Sequence, residues 1–246
     1  MTVMRQTLKR RSDTVTVIYP EVDGSIYAED LLADARTTAA ETRQMLEGIV
    51  DEQARRLKKL FIDAVDALVG ALEAKDKYTA WHSRRVTKIA VDTGRELGLS
   101  SEELENLRWA ALLHDIGKIG IDSTVQNKPG ILTPTEYAYI LTHSSIGSSI
   151  VEPLVSKKIV EAIRHHHDSY DGSGLEQQVA YDDIPLGARI LAVADSFDAM
   201  TSDRPYRQAL PAGEAIMEIK RCAGTQFDPD VVRAFLKTPI INSLMA

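Results

Sequence analysis

The sequence predicts an all-α protein: a helical bundle preceded by one long helix and a short extended N-terminal segment. Three observations carry this reading. Apolar residues recur at three-four spacing over long stretches, helix start and stop signals punctuate the chain, and runs that alternate with the period of a strand are nearly absent.

In chain order, residues 1–12 carry Arg5, Lys9, Arg10 and Arg11 and read as a mobile, solvated arm. Residues 14–19 (TVTVIY) are β-branched and bounded by Pro20 and the Asp23-Gly24 turn signal, which predicts a single strand or an extended segment without a visible partner. From Ile26 to Glu73 there is no proline, and Leu32, Ala35, Ala39, Leu46, Val50, Leu57, Leu60, Ala64 and Leu68 keep helical spacing with charges such as Glu41, Arg43, Arg55 and Lys58 outside it. Such a seam predicts one long helix that pairs with a second copy in a homodimer. The alternative is packing on its own domain, because Ala and Thr weaken several seam positions.

Further on, Ser100-x-x-Glu103 is a capping box that opens a helix running into His114, after a break at residues 94–99 (GRELGL). Thr133-Pro134-Thr135-Glu136 is a second box with proline at the first helical position. Pro211 opens the helix containing Ile216 and Ile219, and Asp228-Pro229 opens a last helix over residues 230–237. The chain divides into an arm at 1–25, a long helix at 26–73 and a globular domain at 74–240.

With 246 residues and 44% hydrophobic content, the chain can bury a substantial core. A net charge of -7 argues against a surface for duplex nucleic acid but leaves room for a local basic pocket. The lone Cys222 excludes an internal disulfide framework and fits a reducing compartment, the cytoplasm. No run approaches 18 apolar residues, and the N-terminus has no secretory signal, so no membrane association is expected.

The chemistry centres on Trp109 to Ile121, where an apolar run ends on adjacent His114 and Asp115 followed by Lys118. Burying an imidazole beside a carboxylate is costly unless a cation or another group satisfies both. All six histidines fall between His82 and His167. Imidazoles mixed with carboxylates suit iron, manganese, zinc or nickel. His82, His114, Asp115, His143, His166, His167 and Asp195 are the candidate ligands. Seven exceed the four of a closed structural site and suggest two metals sharing a carboxylate, for which Asp115 is the candidate bridge.

The ordered series Tyr78-Thr79-x-x-His82-Ser83-x-Arg85-Val86, His114-Asp115-Ile116-Gly117-Lys118, Asn127-Lys128-Pro129-Gly130, Thr142-His143-x-x-x-Gly147, His166-His167-x-x-x-Asp171-Gly172-x-Gly174 and Ala194-Asp195-x-Phe197-Asp198-Ala199 resembles the HD-GYP phosphodiesterases. The likeness runs from about Asp76 to Leu236. It implies an all-α domain with a metal centre that hydrolyses cyclic di-GMP, or a related cyclic dinucleotide, through a metal-activated bridging water. By the same resemblance His82, His114, Asp115 and Asp195 hold one divalent ion, iron or manganese with nickel or zinc as alternatives, and Asp115, His143, His166 and His167 hold the other. Lys118 resembles the lysine beside the scissile phosphate, Arg204 and Arg207 the phosphate clamps, and Asp76 an acidic position near the site. Asp198 reads as a support to the ligands, and His165 as an exposed neighbour.

Three departures stand out. The name-giving Gly-Tyr-Pro reads Gly174-Leu175-Glu176, which alters a loop at 174–181 that the family uses for partner proteins. Tyr78 stands where a glutamate marks members resembling three-metal enzymes, so two metals are expected. Asp168 replaces the usual glutamate after the His pair, one methylene shorter, so its bonds must be re-aimed. Two rival functions follow: a receptor or scaffold that binds cyclic di-GMP without turning it over, and a phosphohydrolase for another nucleotide.

Overall fold

The computed structural model describes residues 3–9, 14–20, 24–75, 81–174, 179–203 and 208–245. It forms two compact units, residues 1–63 and 64–246.

In the first unit the expectation of a mobile arm is corrected. Strand β1 (Val3–Lys9) pairs antiparallel with β2 (Thr14–Pro20), in a register running from Val3 opposite Pro20 to Lys9 opposite Thr14. The predicted strand therefore has a partner. Pairing is made by backbone amides and carbonyls, and charged residues are tolerated on a two-stranded edge, so the basic composition of β1 hid a strand. Helix α1 (Gly24–Lys75) follows over 52 residues, and its Leu32, Leu46, Val50, Leu57 and Leu60 are exposed.

The second unit opens on the last turns of α1, where Val65, Val69 and Leu72 are buried. Ten further helices follow among the described residues: α2 (His82–Glu96), α3 (Ser101–Leu113), α4 (Ser123–Gln126), α5 (Pro134–Leu141), α6 (His143–Val151), α7 (Lys157–Arg164), α8 (Leu186–Thr201), α9 (Ala212–Arg221), α10 (Pro229–Phe235) and α11 (Pro239–Met245). Both predicted capping boxes form: Ser100 and Glu103 close the start of α3, and Thr133 and Glu136 the start of α5. The last predicted helix stops at Phe235, and Pro239, which cannot continue a helix, opens the additional α11.

Helix α8 is the central strut, packing on α2, α3, α7, α9 and α10. Its Ile190, Leu191, Val193 and Ala194 are buried, and Phe197 meets Phe235 of α10 with ring centroids 5.1 Å apart. On α2, Gly94 lets α3 come close, since a Cβ there would lie 2.9 Å from a Leu107 methyl. These contacts bring the N-terminus of α2, the C-termini of α3 and α7, the start of α6 and the middle of α8 to one place.

Candidate metal centre

Each of those helix positions presents a predicted ligand. His82 begins α2, His114 caps the end of α3 with Asp115 next to it, His143 begins α6, His166 and His167 follow α7, and Asp195 lies on α8. His82, His114, Asp115, His143 and His166 are buried. Their ligand atoms form two groups, His82 with His114 and Asp115, and His143 with His166 and His167, each within 4.8 Å. Asp195 joins the first, its Oδ1 3.2 Å from His82 Nε2 and 3.8 Å from His114 Nε2.

Asp115 stands between the groups. Its Oδ1 is 3.4 Å from His143 Nε2, while its Oδ2 is 3.5 Å from His114 Nε2 and 3.6 Å from His82 Nε2. A carboxylate so placed can share its oxygens between two cations.

Local backbone fixes how the rings face. His114 Nδ1 donates to the Ala111 carbonyl at 2.7 Å, His143 Nδ1 to Ile140 at 2.7 Å and His166 Nδ1 to Ile163 at 2.6 Å. Each carbonyl lies three residues back, a helical offset that holds the proton on Nδ1 and turns the Nε2 lone pair inward. His114 Nε2 is buried without any hydrogen-bond partner. His143 Nε2 and His166 Nε2 face each other at 3.4 Å, two acceptors with no proton to share. Both observations fit a donor set built for a cation, since buried lone pairs are otherwise costly.

His82 is oriented differently. Its Nδ1 donates to Asp198 Oδ2 at 2.7 Å, and Asp198 is held in turn by Arg85, Nε at 2.5 Å from Oδ1 and a terminal nitrogen at 3.0 Å from Oδ2. The same guanidinium reaches Ser202 Oγ at 3.1 Å. Asp198 thus has the supporting part expected of it. The sequence motif assigns Arg85 no role, although its position three residues after His82, one helical turn on, is the available signal.

The electrostatics follow from burial and neighbours. Burial alone would raise the Asp115 carboxyl, but Lys118 and the imidazoles of His114, His143 and His82 hold it well below the usual range. Asp195 is likewise held well below by His82, against its burial. Burial drives His143 and His166 down, and burial with the neighbouring His143 takes His167 to about 3. His167 sits deep among protein atoms yet keeps one face open to solvent. Burial would also lower His82, but hydrogen bonds to Asp195 and Asp198 overcome it and push it up to about 9.

Lys118 Nζ lies 2.6 Å from Asp115 Oδ2, so the lysine meets the candidate bridge itself rather than a surface acid. It arrives there because residues 116–120 form a 3-10 turn packed on α6. His165 turns away from the centre and is half-buried, with Nδ1 2.7 Å from Asp168 Oδ2. That contact is where the shortened Asp168 side chain goes. Asp76, Tyr78, Leu175, Glu176, Arg204 and Arg207 lie outside the described residues. Beside His166 and His167 opens a polar cavity of about 250 Å³, lined also by Tyr137, Ser173, Ser196 and Gln226, none of which had been singled out in the sequence.

A helical bundle that gathers histidines and aspartates from five helices around Asp115 has the donor set of a metal-binding domain of the His-Asp class. The sequence matches the HD domain family over residues 67–231, and the chain belongs to that family. It is 37% identical over 196 residues to a cyclic di-GMP phosphodiesterase of Thermotoga maritima, covering 78% of this chain and 53% of the relative. It is 38% identical over 179 residues to the cyclic di-GMP phosphodiesterase response regulator RpfG of Xanthomonas campestris, covering 71% and 47%. With a 3'3'-cGAMP-specific phosphodiesterase of Vibrio cholerae it shares 36% over 174 residues, covering 70% and 38%. The chain spans about half the length of the first two curated relatives it matches, 53% and 50%. Among solved structures, the fold is that of a cyclic GMP-AMP specific phosphodiesterase of V. cholerae, with a TM-score of 0.58 at 24% identity over 74% of this chain and 50% of the other.

Proposed function

We propose that the chain is a metal-dependent phosphodiesterase that opens cyclic di-GMP or a related cyclic dinucleotide. The observation that carries this is Asp115, whose two oxygens face two separate groups of imidazoles. Relatives named for cyclic di-GMP and 3'3'-cGAMP support the substrate class.

In this reading His82, His114, Asp115 and Asp195 hold one divalent transition metal, and Asp115, His143, His166 and His167 a second, iron or manganese with nickel or zinc as alternatives. Bound metals supply a water of lowered pKa and neutralise charge on the phosphodiester. The chain's own residues do the rest. Backbone carbonyls keep the Nδ1 protons of His114, His143 and His166 in place, and Asp198 does so for His82. Lys118, 2.6 Å from Asp115, brings an ammonium to the edge of the centre, where it offsets charge developing on the phosphate. Asp76 is assigned a supporting acidic role, and Arg204 and Arg207 clamp the phosphates by forked hydrogen bonds. The chain works in the cytoplasm, as a homodimer paired through the exposed apolar residues of α1, and the altered 174–181 loop meets a signalling partner.

Protein loaded with manganese or with iron is incubated with cyclic di-GMP, and linear dinucleotide and GMP are followed by chromatography. Linear product is expected. Tight binding without product sinks the enzymatic reading and favours the receptor, which Gly174-Leu175-Glu176 in place of Gly-Tyr-Pro supports. Turnover confined to other nucleotides in a substrate panel favours the third reading.

A further inference from the structure

The cavity beside His166 and His167 has a chemistry of its own. It draws one wall from Tyr137 and Leu141 on α5, another from Ala192 and Ser196 on α8, and its polar rim from Ser173 and Gln226. Ala192 and Ser196 share a helix face with Asp195, so the cavity adjoins both groups of candidate ligands. Its volume of about 250 Å³ falls below the roughly 300–1,000 Å³ that drug-sized ligands occupy. It suits one nucleoside half of a cyclic dinucleotide rather than the whole.

Gln226 is presented rigidly. Its carbonyl accepts from Tyr170 N at 3.1 Å, the carbonyl of Thr225 accepts from Asp171 N at 2.9 Å, and Gly224 N donates to Phe227 at 2.8 Å. Gly224 takes φ of +89°, a conformation glycine adopts readily, which closes this turn. With the backbone fastened on both sides, the Gln226 amide and the Ser196 hydroxyl make no hydrogen bond among the described residues, while the Ser173 hydroxyl and amide are engaged by the Asp171 carboxylate. Two polar groups with unspent capacity, Gln226 and Ser196, therefore line a small cleft next to the candidate metal centre. A carboxamide offers one donor and one acceptor in a plane, the pattern that pairs with the edge of a purine.

We infer that this cavity is a purine subsite in which Gln226 reads the base edge, Ser196 adds a hydrogen bond, and Tyr137 and Leu141 cover a base face. The inference rests on the phosphodiesterase reading for its ligand class, and it assigns Gln226 as a determinant of which cyclic dinucleotide is accepted.

The test is equilibrium binding, so that it does not depend on turnover. Calorimetry on manganese-loaded protein compares GMP, AMP and ribose 5-phosphate. One purine nucleotide should bind about tenfold or more tighter than ribose 5-phosphate, and Gln226→Ala should remove most of that margin with metal content unchanged. Gln226→Glu, which replaces the amide donor with an acceptor, should shift preference toward GMP, whose base offers two adjacent N–H donors. An intact margin in both variants, equal loss for all three ligands, or no margin in the wild type overturns the subsite. If the margin is present and responds to Gln226 while no cyclic dinucleotide is hydrolysed, the subsite stands and the enzymatic reading fails.

Discussion

At the scale of single residues, Asp115 and His82 carry the sharpest consequences. Because Asp115 gives one oxygen to the His143 side and the other to His82 and His114, Asp115→Ala withdraws a donor from both groups. Bound metal measured by mass spectrometry should fall, and hydrolysis should be lost; full metal content with full turnover would contradict the bridge. His82, at about 9, is protonated at neutral pH in protein stripped of metal, and it must release that proton to act as a ligand. Metal uptake at pH 7.5 should therefore release protons, read from calorimetry in buffers of different ionisation enthalpy. The stability of stripped protein follows the same groups. Since the folded value of His82 is raised above 6.5, its contribution is complete below pH 6.5 and is lost as pH rises through about 9. His143, His166 and His167 are lowered instead, so their contribution is complete above pH 6.5 and is lost as pH falls from there. Melting temperatures of stripped protein should peak near pH 6.5, and saturating metal should flatten the alkaline fall; a rise from pH 7 to 9 without metal would contradict the assignment.

At the scale of elements, the 3-10 turn Ile116–Gly120 against α6 is the tightest joint in the site. A Cβ on Gly117 would lie 2.0 Å from the His143 carbonyl oxygen and 2.4 Å from Gly147 N, both backbone atoms that cannot swing aside. Gly117→Ala should therefore cost about 1–3 kcal/mol or more, and it should loosen metal binding because the clash falls on His143 itself. Thermal unfolding and metal titration check this, and a fully stable, fully metallated variant would refute the constraint. This joint also shows what the sequence could and could not reveal. The residues that gather into the two candidate ligand groups were legible because all six histidines fall between His82 and His167 in ordered motifs, and the caps of α3 and α5 because Ser100–Glu103 and Thr133–Glu136 are local signals. Strand β1 was not, since backbone pairing leaves little trace in a basic stretch. Gln226 was hidden for a different reason: its place beside the ligands comes from tertiary packing that brings its turn to the end of α7.

At the scale of the whole molecule, the chain joins a metal-binding HD domain to a 52-residue helix that leaves Leu46, Val50, Leu57 and Leu60 exposed. Apolar residues at this spacing are the pattern of a coiled-coil seam, and the proposed homodimer would bury them. Light scattering should give the mass of a dimer, and Leu46→Lys with Val50→Lys should give a monomer that keeps its metal; a monomeric wild type would leave α1 without this role. The helical fold of the second unit was legible because its apolar periodicity and its helix caps coincide on the same segments. The long helix was equally plain in its periodicity, although its partner is not written in one chain. The central claim is that one carboxylate joins two metals that act together in hydrolysis, and the direct measurement is a manganese titration of stripped protein with bound metal and linear product from cyclic di-GMP followed side by side. Two equivalents per chain, with product formation rising on the second, is the expected result; full activity at one equivalent, or saturation at one, would contradict it.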